Sequence, residues 1–304
     1  MDVTGPKIKK YQKKFVAEPG KKIRLSKFST DRVDHEALRD KSGSEVKKLL
    51  RYQLDADRQA LFSAQELLAA SHQYGILIIL QGMDTAGKDG TIRHVMSGVN
   101  PQGCDVHSFK VPSPDEHRHD FLWRYSRVLP LRGMIGIFNR SYYEDVLVVR
   151  VHPDRMEELP EKIGPGKKGF WDGRYRDINA FEKHLVQNGT VILKFFLHIS
   201  KDEQKRRLLE RLGNEKKFWK FSVSDIAERK YWDQYQAAYE EMLSATSTGY
   251  APWFIVPADH KEIARTFVAD AVTTAIEGLH LSYPKFSDDE IRHFMDAKKE
   301  LEQE

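Results

Sequence analysis

The sequence contains a single cysteine, Cys104, among its 304 residues. One thiol can form no disulfide within the chain and cannot build a metal cluster of cysteines. Both absences are typical of proteins in a reducing compartment, where disulfides are rare. We therefore expect a cytoplasmic protein.

Long apolar runs, repeats and a strong excess of one charge are also missing. No apolar run approaches the roughly 20 residues of a membrane helix, and the N-terminus has no signal-type apolar core, so we expect no membrane contact. The 49 basic residues nearly balance the 45 acidic ones, which leaves a formal net charge of +4. Because this balance does not indicate nucleic acid, we expect no nucleic-acid partner, and any site for a polyanion must be a local basic patch.

What the sequence does contain is an alternation of strand-like and helix-like segments. Hydrophobic residues make up 40% of the chain, enough for a substantial core. The alternation predicts an α/β fold, a doubly wound parallel sheet of about five strands with ligands at the carboxyl ends of the strands. The strands are predicted near residues 76–80, 104–111, 133–138, 190–197 and 253–256.

Three parts are predicted along the chain. Residues 1–70 form an N-terminal arm and helices, residues 71–280 form the main domain with a helical lid at about 205–230, and residues 281–304 form a C-terminal helix. Capping-box patterns predict helix starts at Ser113, Ser200, Asp259 and Ser287, and Ser224 is expected to cap a helix in the lid. The helix after Ser113 is expected to direct Phe121, Leu122 and Tyr125 inward.

The stretch from Gly75 to Gly90 joins an apolar run to a glycine-rich loop. Gly82 and the pair Gly87-Lys88 match the spacing G-x-x-x-x-G-K, which binds phosphate when it lies between a strand and a helix. Glycines let the backbone approach phosphate oxygens, and Lys88, which we expect outside the core, adds a positive charge. The alternative is a tight turn with an exposed lysine. We predict a phosphate-binding loop whose other members are Met83, Asp84, Thr85, Ala86, Asp89 and Gly90.

Two carboxylates distinguish this loop from the usual phosphate loop. The position after the lysine, normally a Ser or Thr that binds Mg²⁺, is Asp89. Asp84 lies inside the loop, where at about 4 Å a carboxylate repels a phosphate by several kcal/mol unless a cation intervenes. Asp84 is therefore a candidate ligand of Mg²⁺. The alternative is that its side chain only caps the next turn.

A second polar cluster, residues 139–145, follows the third predicted strand. Enzymes with a phosphate loop place a metal-organising carboxylate at the first of these positions, which here is Asn139. Glu144 and Asp145 follow soon after it, and Arg140 offers a planar fork suited to phosphate oxygens. We predict that Arg140, Glu144 and Asp145 act in the site, the two carboxylates as metal ligands. The alternative is an ordinary helical ion pair between Arg140 and Glu144.

A third cluster is cationic and follows the fourth predicted strand. Such a position suits a mobile lid that contacts phosphates, and the alternative is a solvated charged face. The aromatic residues Phe218, Trp219 and Phe221 are predicted to form the core of this lid rather than platforms for bases. Arg174, in a segment before that strand, is a further candidate for the site, with a solvated helix start as the alternative. The basic residues of the cluster are Arg206, Arg207, Arg211, Lys216, Lys217, Lys220, Arg229 and Lys230.

Three motifs together resemble the second family of polyphosphate kinases. They are Gly82–Gly90, Asn139–Asp145 and the segment 217–222 with Asp225 and Arg229. The resemblance covers roughly residues 70–280 and implies the P-loop fold of nucleoside-monophosphate kinases, with a helical lid. It also implies reversible transfer of phosphoryl groups between inorganic polyphosphate and nucleotides, with Mg²⁺ as the metal and Mn²⁺ as an alternative.

The resemblance assigns roles to single residues. Asp84 and Lys88 would act on metal and phosphate, Arg140 would clamp a phosphate, and Lys220 and Arg229 would be cations of the lid. From the cationic cluster itself we also predict that Lys216 contacts phosphate.

One departure from the family pattern concerns the acceptor. Many members have Asp at the position of Asn139 and Asn at the position of Glu144. The combination found here resembles the subgroup that accepts both nucleoside mono- and diphosphates. The implied partners are polyphosphate, AMP, ADP and ATP, with guanine nucleotides as further candidates, and we expect a homo-oligomer.

Two other functions compete with a polyphosphate:AMP/ADP phosphotransferase. The first is a kinase on the same fold that uses ATP to phosphorylate a nucleotide or small molecule, and the missing Ser or Thr after Lys88 argues against it. The second is a non-catalytic module that binds nucleotides or nucleic acid through the basic lid. The carboxylates at Asp84, Glu144 and Asp145 argue against that module, because they would repel a polyanion.

Overall fold

The computed structural model describes residues 5–31, 43–156 and 159–304, except for the side chains of Glu161, Lys217 and Lys220. Five parallel strands form one sheet in the order β2-β3-β1-β4-β5. This confirms the predicted fold class. The strands are β1 (Gly75–Gln81), β2 (Cys104–Ser108), β3 (Ile135–Asn139), β4 (Thr190–His198) and β5 (Trp253–Pro257).

Ten α-helices lie in the described ranges, and they cover both faces of the sheet. Helices α1, α2 and α9 pack together on one face, and α4, α5 and α8 pack together on the other. None of the described helices combines the length and the apolar character needed to span a membrane. The helices are α1 (Gly43–Ser71), α2 (Lys88–Val95), α3 (Trp123–Ser126), α4 (Glu144–Val151), α5 (Phe170–Gln187), α6 (Lys201–Leu212), α7 (Val223–Glu228), α8 (Trp232–Thr246), α9 (Lys261–Glu277) and α10 (Asp288–Leu301).

The central strand β1 determines where a ligand can bind. All its residues are buried, which explains why its sequence from Ile76 to Leu80 is continuously apolar instead of alternating. It pairs with β3 on one side and β4 on the other, so Leu80 lies beside Asn139 and Phe195. After β1 the chain forms β2 and β3 on one side of that strand, and then β4 and β5 on its other side. At such a change of side a crevice opens at the carboxyl end of the central strand.

The N-terminal arm protects the edge of the sheet. The backbone N–H of Ala17 donates to the carbonyl of Trp253 at 2.9 Å, and Val16 forms an isolated antiparallel bridge with Phe254. Unpaired backbone groups on an edge strand invite pairing with another chain, and the arm covers part of that edge.

Three of the predicted helix caps are wrong, although α9 begins at Lys261, within the start predicted at residues 259–262. The Ser113–Glu116 capping hydrogen bonds form, at 2.7 and 3.2 Å, but only a 3-10 turn follows, because Asp120 accepts from the N–H of Leu122 and begins a new turn. Asp259 caps no helix, because its carboxylate accepts from the N–H of Ser200 and the hydroxyl of Thr30 instead. The lid helix α7 is capped by Ser222, not Ser224.

The other two predicted helix starts are confirmed. Ser200 caps α6, and Ser287 forms a complete capping box with Glu290 at the start of α10. Every residue of α10 is exposed. Its apolar side chains therefore face solvent in the described chain, and the largest are Ile291, Phe294, Met295 and Leu301.

Candidate functional site

A cavity of about 1690 Å³ lies at the carboxyl ends of the strands. The loop after β1, the end of β3, the start of α4 and part of the lid line it, so the fold brings together segments that are far apart in the sequence. The predicted site residues on its wall are Asp84, Thr85, Ala86, Gly87, Lys88, Asp89, Gly90, Arg140, Glu144 and Asp145. Gly82 and Met83 lie behind the wall at the base of the loop.

The loop after β1 has a backbone that its sequence makes accessible. Gly82 has φ +154°, and a Cβ at this residue would lie 2.8 Å from the carbonyl oxygen of Leu197, so only glycine fits. Gly87 precedes α2 in the left-handed region at φ +109°. The first N–H groups of α2 consequently face the loop, where the positive end of a helix favours an anion.

Lys88 is buried, and this corrects the prediction of a lysine outside the core. Its Nζ donates to the carbonyl oxygens of Gly82 at 2.6 Å and Met83 at 3.2 Å. Burial, together with the nearby positive charge of Arg140, lowers the pKa of Lys88 to about 8. Lys88 therefore ties the start of the loop to the first turn of α2, and the alternative of an exposed lysine in a turn is excluded.

Arg140 joins the two acidic segments of the site. Its guanidinium donates to Asp84 Oδ1 at 2.7 Å and to Glu144 Oε2 at 2.9 Å. The arginine has φ +66° and lies before α4, which begins at Glu144, so the two residues are not an ordinary pair within one helix. The negative charge of Glu144 raises the pKa of Arg140 further above its usual range. Left-handed backbone at a non-glycine residue is strained and is typical of functional sites.

Asp145 points to a different part of the cavity. Its Oδ2 accepts a hydrogen bond of 3.2 Å from the hydroxyl of Tyr125, which in turn accepts from Arg124 at 2.7 Å. Asp145 and Glu144 are adjacent in sequence, but they have different partners. The structure therefore keeps Asp84 and Glu144 together through Arg140 and places Asp145 beside them on the wall.

The donor set fits a magnesium ion that arrives with phosphates. Among the described residues there is no group of three His, Cys, Asp or Glu side chains placed to hold a metal by themselves. Mg²⁺ usually takes only one or two carboxylates and completes its shell with phosphate oxygens and water. Two buried oxygens near the loop, Thr85 Oγ1 and Asn139 Oδ1, have no hydrogen-bond partner within the described chain. They could accept from water around such an ion.

Basic side chains line the remaining wall of the cavity and outnumber the acidic ones there. They come from α2, from the segment between β2 and β3, from the turn after α4, from α6 and from α9. A highly charged anion would find positive potential on several sides. Those outside the motifs are Arg93, Lys110, Arg118, Arg124, Arg155, Arg207, Arg211, Lys261 and Arg265.

Two residues of α6 brace the phosphate loop, and sequence reasoning missed this role. Arg207 is buried and donates to the carbonyls of Thr85 and Ala86, each at 3.0 Å, so it is not a free cation of the lid. Gln204 donates to the carbonyl of Asp84 at 3.0 Å and accepts from Arg229 at 2.7 Å. The sequence offered no signal for Gln204 beyond its place one turn after the helix cap.

The lid differs from the prediction in its aromatic residues. Trp219 is 78% exposed and Phe218 is 50% exposed, so the predicted aromatic core of the lid is wrong for both. A 3-10 helix, Glu215–Lys220, and the short α7 provide no second layer that could bury them. Trp219 and Asp225 lie on the cavity wall.

Four predicted phosphate or nucleotide contacts lie away from the wall or outside the described residues. Arg174 is buried with its guanidinium 4.2 Å above the ring of Phe121, and the structure does not bring it to the cavity wall. Arg229 donates to Gln204 and to the carbonyl of Lys201 at 2.9 Å, behind the wall. Lys216 is exposed and also lies off the wall, and the side chain of Lys220 is one of those not described.

The loop, the second cluster and the lid all lie within the part of the chain that matches a known family. A family model described as polyphosphate kinase 2 matches residues 45–283. The chain belongs to the polyphosphate kinase 2 family. It is therefore an enzyme of the transferase class, a kinase that depends on polyphosphate. This confirms the resemblance seen in the three sequence motifs.

Members of the polyphosphate kinase 2 family match nearly the whole chain. An ADP-polyphosphate phosphotransferase of Rhodopseudomonas palustris is 49% identical over 291 residues, which cover 95% of this chain and 98% of the relative. An AMP/ADP-polyphosphate phosphotransferase of Meiothermus ruber is 43% identical over 273 residues, 90% of this chain and 96% of the relative. The crystal structure of polyphosphate kinase 2 from Arthrobacter aurescens TC1 has a TM-score of 0.80 and 38% identity, and the match covers 97% of this chain and 100% of that one.

Proposed function

We propose that the protein transfers phosphoryl groups from inorganic polyphosphate to AMP and to ADP, forming ADP and ATP, with Mg²⁺. The observation that carries this proposal is Arg140, held between Asp84 and Glu144 beside the phosphate loop. This arrangement supplies carboxylates for a metal and a cation for a phosphate in one place. The two relatives named above act on ADP, or on AMP and ADP, according to their names.

The residues of the loop and Arg140 would bind and orient the phosphate that moves. The transition state of phosphoryl transfer is loose and rich in negative charge, so catalysis depends mainly on positioning and electrostatics. The first N–H groups of α2 would hold phosphate oxygens, and Lys88 would turn from the loop carbonyls towards them. Arg140 would exchange one carboxylate partner for a phosphate oxygen, which requires only that its fork rotate.

The carboxylates would hold the metal, and the lid would exclude water. Asp84 with Glu144, Asp145 or both would ligate Mg²⁺, which supplies positive charge to the phosphates when it is bound. Closing the lid over donor and acceptor would keep out the water that otherwise hydrolyses polyphosphate. Trp219 and Asp225 lie on the cavity wall, so the lid borders the space in which the substrates would bind.

Glu144 is the feature that favours AMP as an acceptor besides ADP. The reacting phosphate of AMP lies one phosphate unit nearer the nucleoside, so the site must fill the space left by the missing phosphate. A carboxylate at the edge of the cavity can hold a metal ion or water there. Glu144 provides this carboxylate and is oriented by Arg140 at 2.9 Å.

The proposal is tested by supplying long-chain polyphosphate and Mg²⁺ with either AMP or ADP, and separating the nucleotides by chromatography. We expect ADP and ATP, respectively, with no other donor present. If ADP is phosphorylated and AMP is not, the AMP part of the proposal is overturned. Product only when ATP is the donor would favour the competing ATP-dependent kinase.

Four expectations from the sequence stay predictions. They are the cytoplasmic location, the use of guanine nucleotides, Mn²⁺ as an alternative metal and a homo-oligomeric assembly. Light scattering on the eluting protein would test the assembly, and GMP and GDP in the assay above would test the base.

A further inference from the structure

Asn139 and Asp89 form a pair that neither motif shows by itself. Asn139 ends β3, and Asp89 follows Lys88 in the first turn of α2. The amide Nδ2 of Asn139 donates to Asp89 Oδ1 at 2.7 Å and to Ser108 Oγ at 3.2 Å. Because a carboxylate only accepts, this contact fixes the orientation of the amide.

The other side of the amide has no partner. The carbonyl oxygen Oδ1 of Asn139 is buried, and no donor among the described residues reaches it. A buried acceptor without a donor is costly and normally indicates a missing water, ion or ligand. Asp89 is exposed on the cavity wall, and the bond from Asn139 is the only hydrogen bond that a side chain among the described residues makes to its carboxylate.

Compared with the usual phosphate loop, the charged and the neutral residue have changed places at these two positions. There, a neutral hydroxyl follows the lysine and a carboxylate ends the neighbouring strand. Here the carboxylate, Asp89, follows the lysine and the neutral residue, Asn139, ends the strand. The arrangement therefore still has one negative charge, but on the residue after the lysine instead of at the end of the strand. The hydrogen bond of 2.7 Å from Asn139 Nδ2 to Asp89 Oδ1 shows that the two side chains are in contact.

We propose that Asp89 and Asn139 act as one metal-positioning unit. Asp89 supplies the negative charge directed at phosphate-bound Mg²⁺, and Asn139 orients that carboxylate while its own carbonyl accepts from a water on the same ion. This inference rests on the proposed function, because it assumes that Mg²⁺ enters with the phosphates. It adds a carboxylate to Asp84 and Glu144, which Arg140 engages, and Asp145, which Tyr125 engages.

A purely structural role for the pair makes a different prediction. An acidic residue in the first turn of a helix stabilises that helix through the dipole, at about 0.3–1 kcal/mol. If this were the only role of Asp89, its replacement would lower stability slightly and leave metal affinity unchanged. The two roles are therefore separable by a binding measurement.

The test restores the usual arrangement by exchanging the two residues. Asp89→Ser, Asn139→Asp and the double variant are compared with the parent protein for the affinity of Mn²⁺ in the presence of ADP, measured by electron paramagnetic resonance. We expect Asp89→Ser to weaken Mn²⁺ binding about 10-fold or more, the range found when residues that orient metal ligands are changed. The double variant should return to within about 3-fold of the parent, because the charge returns to the neighbouring position.

Two controls accompany the exchange. Asp105→Ser removes an exposed carboxylate from β2, outside the cavity wall, and should leave Mn²⁺ affinity unchanged. Asp89→Asn removes the charge but keeps the shape, so it separates loss of charge from loss of folding if Asp89→Ser melts early. Asn139→Asp alone should not improve on the parent, since adjacent carboxylates repel and one of them takes up a proton.

Two outcomes would overturn the proposal. One is an affinity for Mn²⁺ in Asp89→Ser and Asp89→Asn within about 2-fold of the parent. The other is a double variant as defective as Asp89→Ser. A loss and recovery of Mn²⁺ affinity in a protein that transfers nothing from polyphosphate would support the pair and refute the proposed function instead.

Discussion

Lys88 is the residue whose role the structure changes most. A lysine outside the core would be lost without consequence for folding, but this one is buried and donates to two loop carbonyls. These two hydrogen bonds give it a structural task besides the phosphate contact that we propose for it.

Replacing Lys88 with Ala should affect rate and stability together. We expect kcat to fall on the order of a hundredfold or more, since a charge that stabilises the transition state is removed. Stability should fall by about 1–3 kcal/mol, because two carbonyls lose their donor. Steady-state kinetics and urea unfolding measure the two effects, with Lys183→Ala on the exposed face of α5 as control. Unchanged turnover in a stable variant would make the loop merely structural.

Glu144 is the residue that should decide the acceptor. Glu144→Asn should lower AMP phosphorylation far more than ADP phosphorylation, because the carboxylate fills the space left by the missing phosphate. Rates with each acceptor at saturating polyphosphate and Mg²⁺ measure the ratio. Equal losses would assign Glu144 to the common chemistry, and no loss would leave it a partner of Arg140 only.

The start of α4 is fixed by a buried network that joins four elements. Lys194 on β4 donates to Glu182 on α5 at 2.6 Å and to the carbonyl of Thr246 at the end of α8 at 2.7 Å. Tyr142 and Tyr143, just before α4, donate to Glu182 at 2.8 and 2.7 Å. The two tyrosines of the second motif therefore anchor the helix that carries Glu144 and Asp145.

Removing one charge of this network should be strongly destabilising. Lys194→Met leaves Glu182 charged and buried, which typically costs about 3–5 kcal/mol. Adding Glu182→Leu should recover much of the stability, because no unpaired charge remains. Urea unfolding of the single and double variants tests this. A single variant as stable as the parent would contradict the assignment of a buried ion pair.

The lid is the element whose cations should follow a polyanion. Rising salt should weaken polyphosphate binding steeply and AMP binding much less, since a long polyanion pairs with more cations and each pair is screened. Replacing Lys216, Lys217 and Lys220 together should flatten the polyphosphate slope by about one unit for each of these lysines that binds a phosphate. Replacing the exposed Lys10, Lys13 and Lys14 of the arm is the matched control. Equal slopes for both substrates would place the donor channel elsewhere.

At the scale of the whole molecule, the arm and two long helices meet around buried carboxylates. Asp270 on α9 accepts from Lys9, Tyr11 and Gln12 of the arm. Asp57 on α1 is also buried, and Gln53 donates to one of its oxygens at 2.9 Å. Burial, with repulsion from Asp270, raises the pKa of Asp57 to about 6.

The raised pKa of Asp57 makes stability depend on pH. The folded state binds this proton more tightly than the unfolded state, so the contribution of Asp57 becomes less favourable as pH rises from about 4 to about 6. Asp57→Asn should therefore stabilise the protein by about 1–2 kcal/mol near pH 7.5, and the gain should shrink near pH 4.5. Urea unfolding at both pH values measures it, with the exposed Asp55→Asn as control. A gain that does not depend on pH would contradict the argument.

The sequence by itself determined the features that depend on near neighbours. Apolar runs predicted β1, β3, β4 and β5, because burial on both faces of a parallel sheet requires them. The edge strand β2 was also predicted, although its sequence is mixed and its residues are partly or fully exposed. The glycine spacing predicted the loop, and parallel strands bring their carboxyl ends to one edge, so Lys88, Arg140 and Glu144 met as predicted. Helix starts followed from local hydrogen bonds where no distant partner competed, as at Ser200 and Ser287.

Only the tertiary structure decided which side chains pair across long separations. Asn139 meets Asp89 from 50 residues away, and Gln204 reaches the carbonyl of Asp84 from 120. The same holds for Arg174, which packs on Phe121 although its charge suggested phosphate. The physical reason is that a side chain pairs with whichever group the packed elements place within about 3 Å, and neither spacing nor periodicity in the sequence encodes that distance.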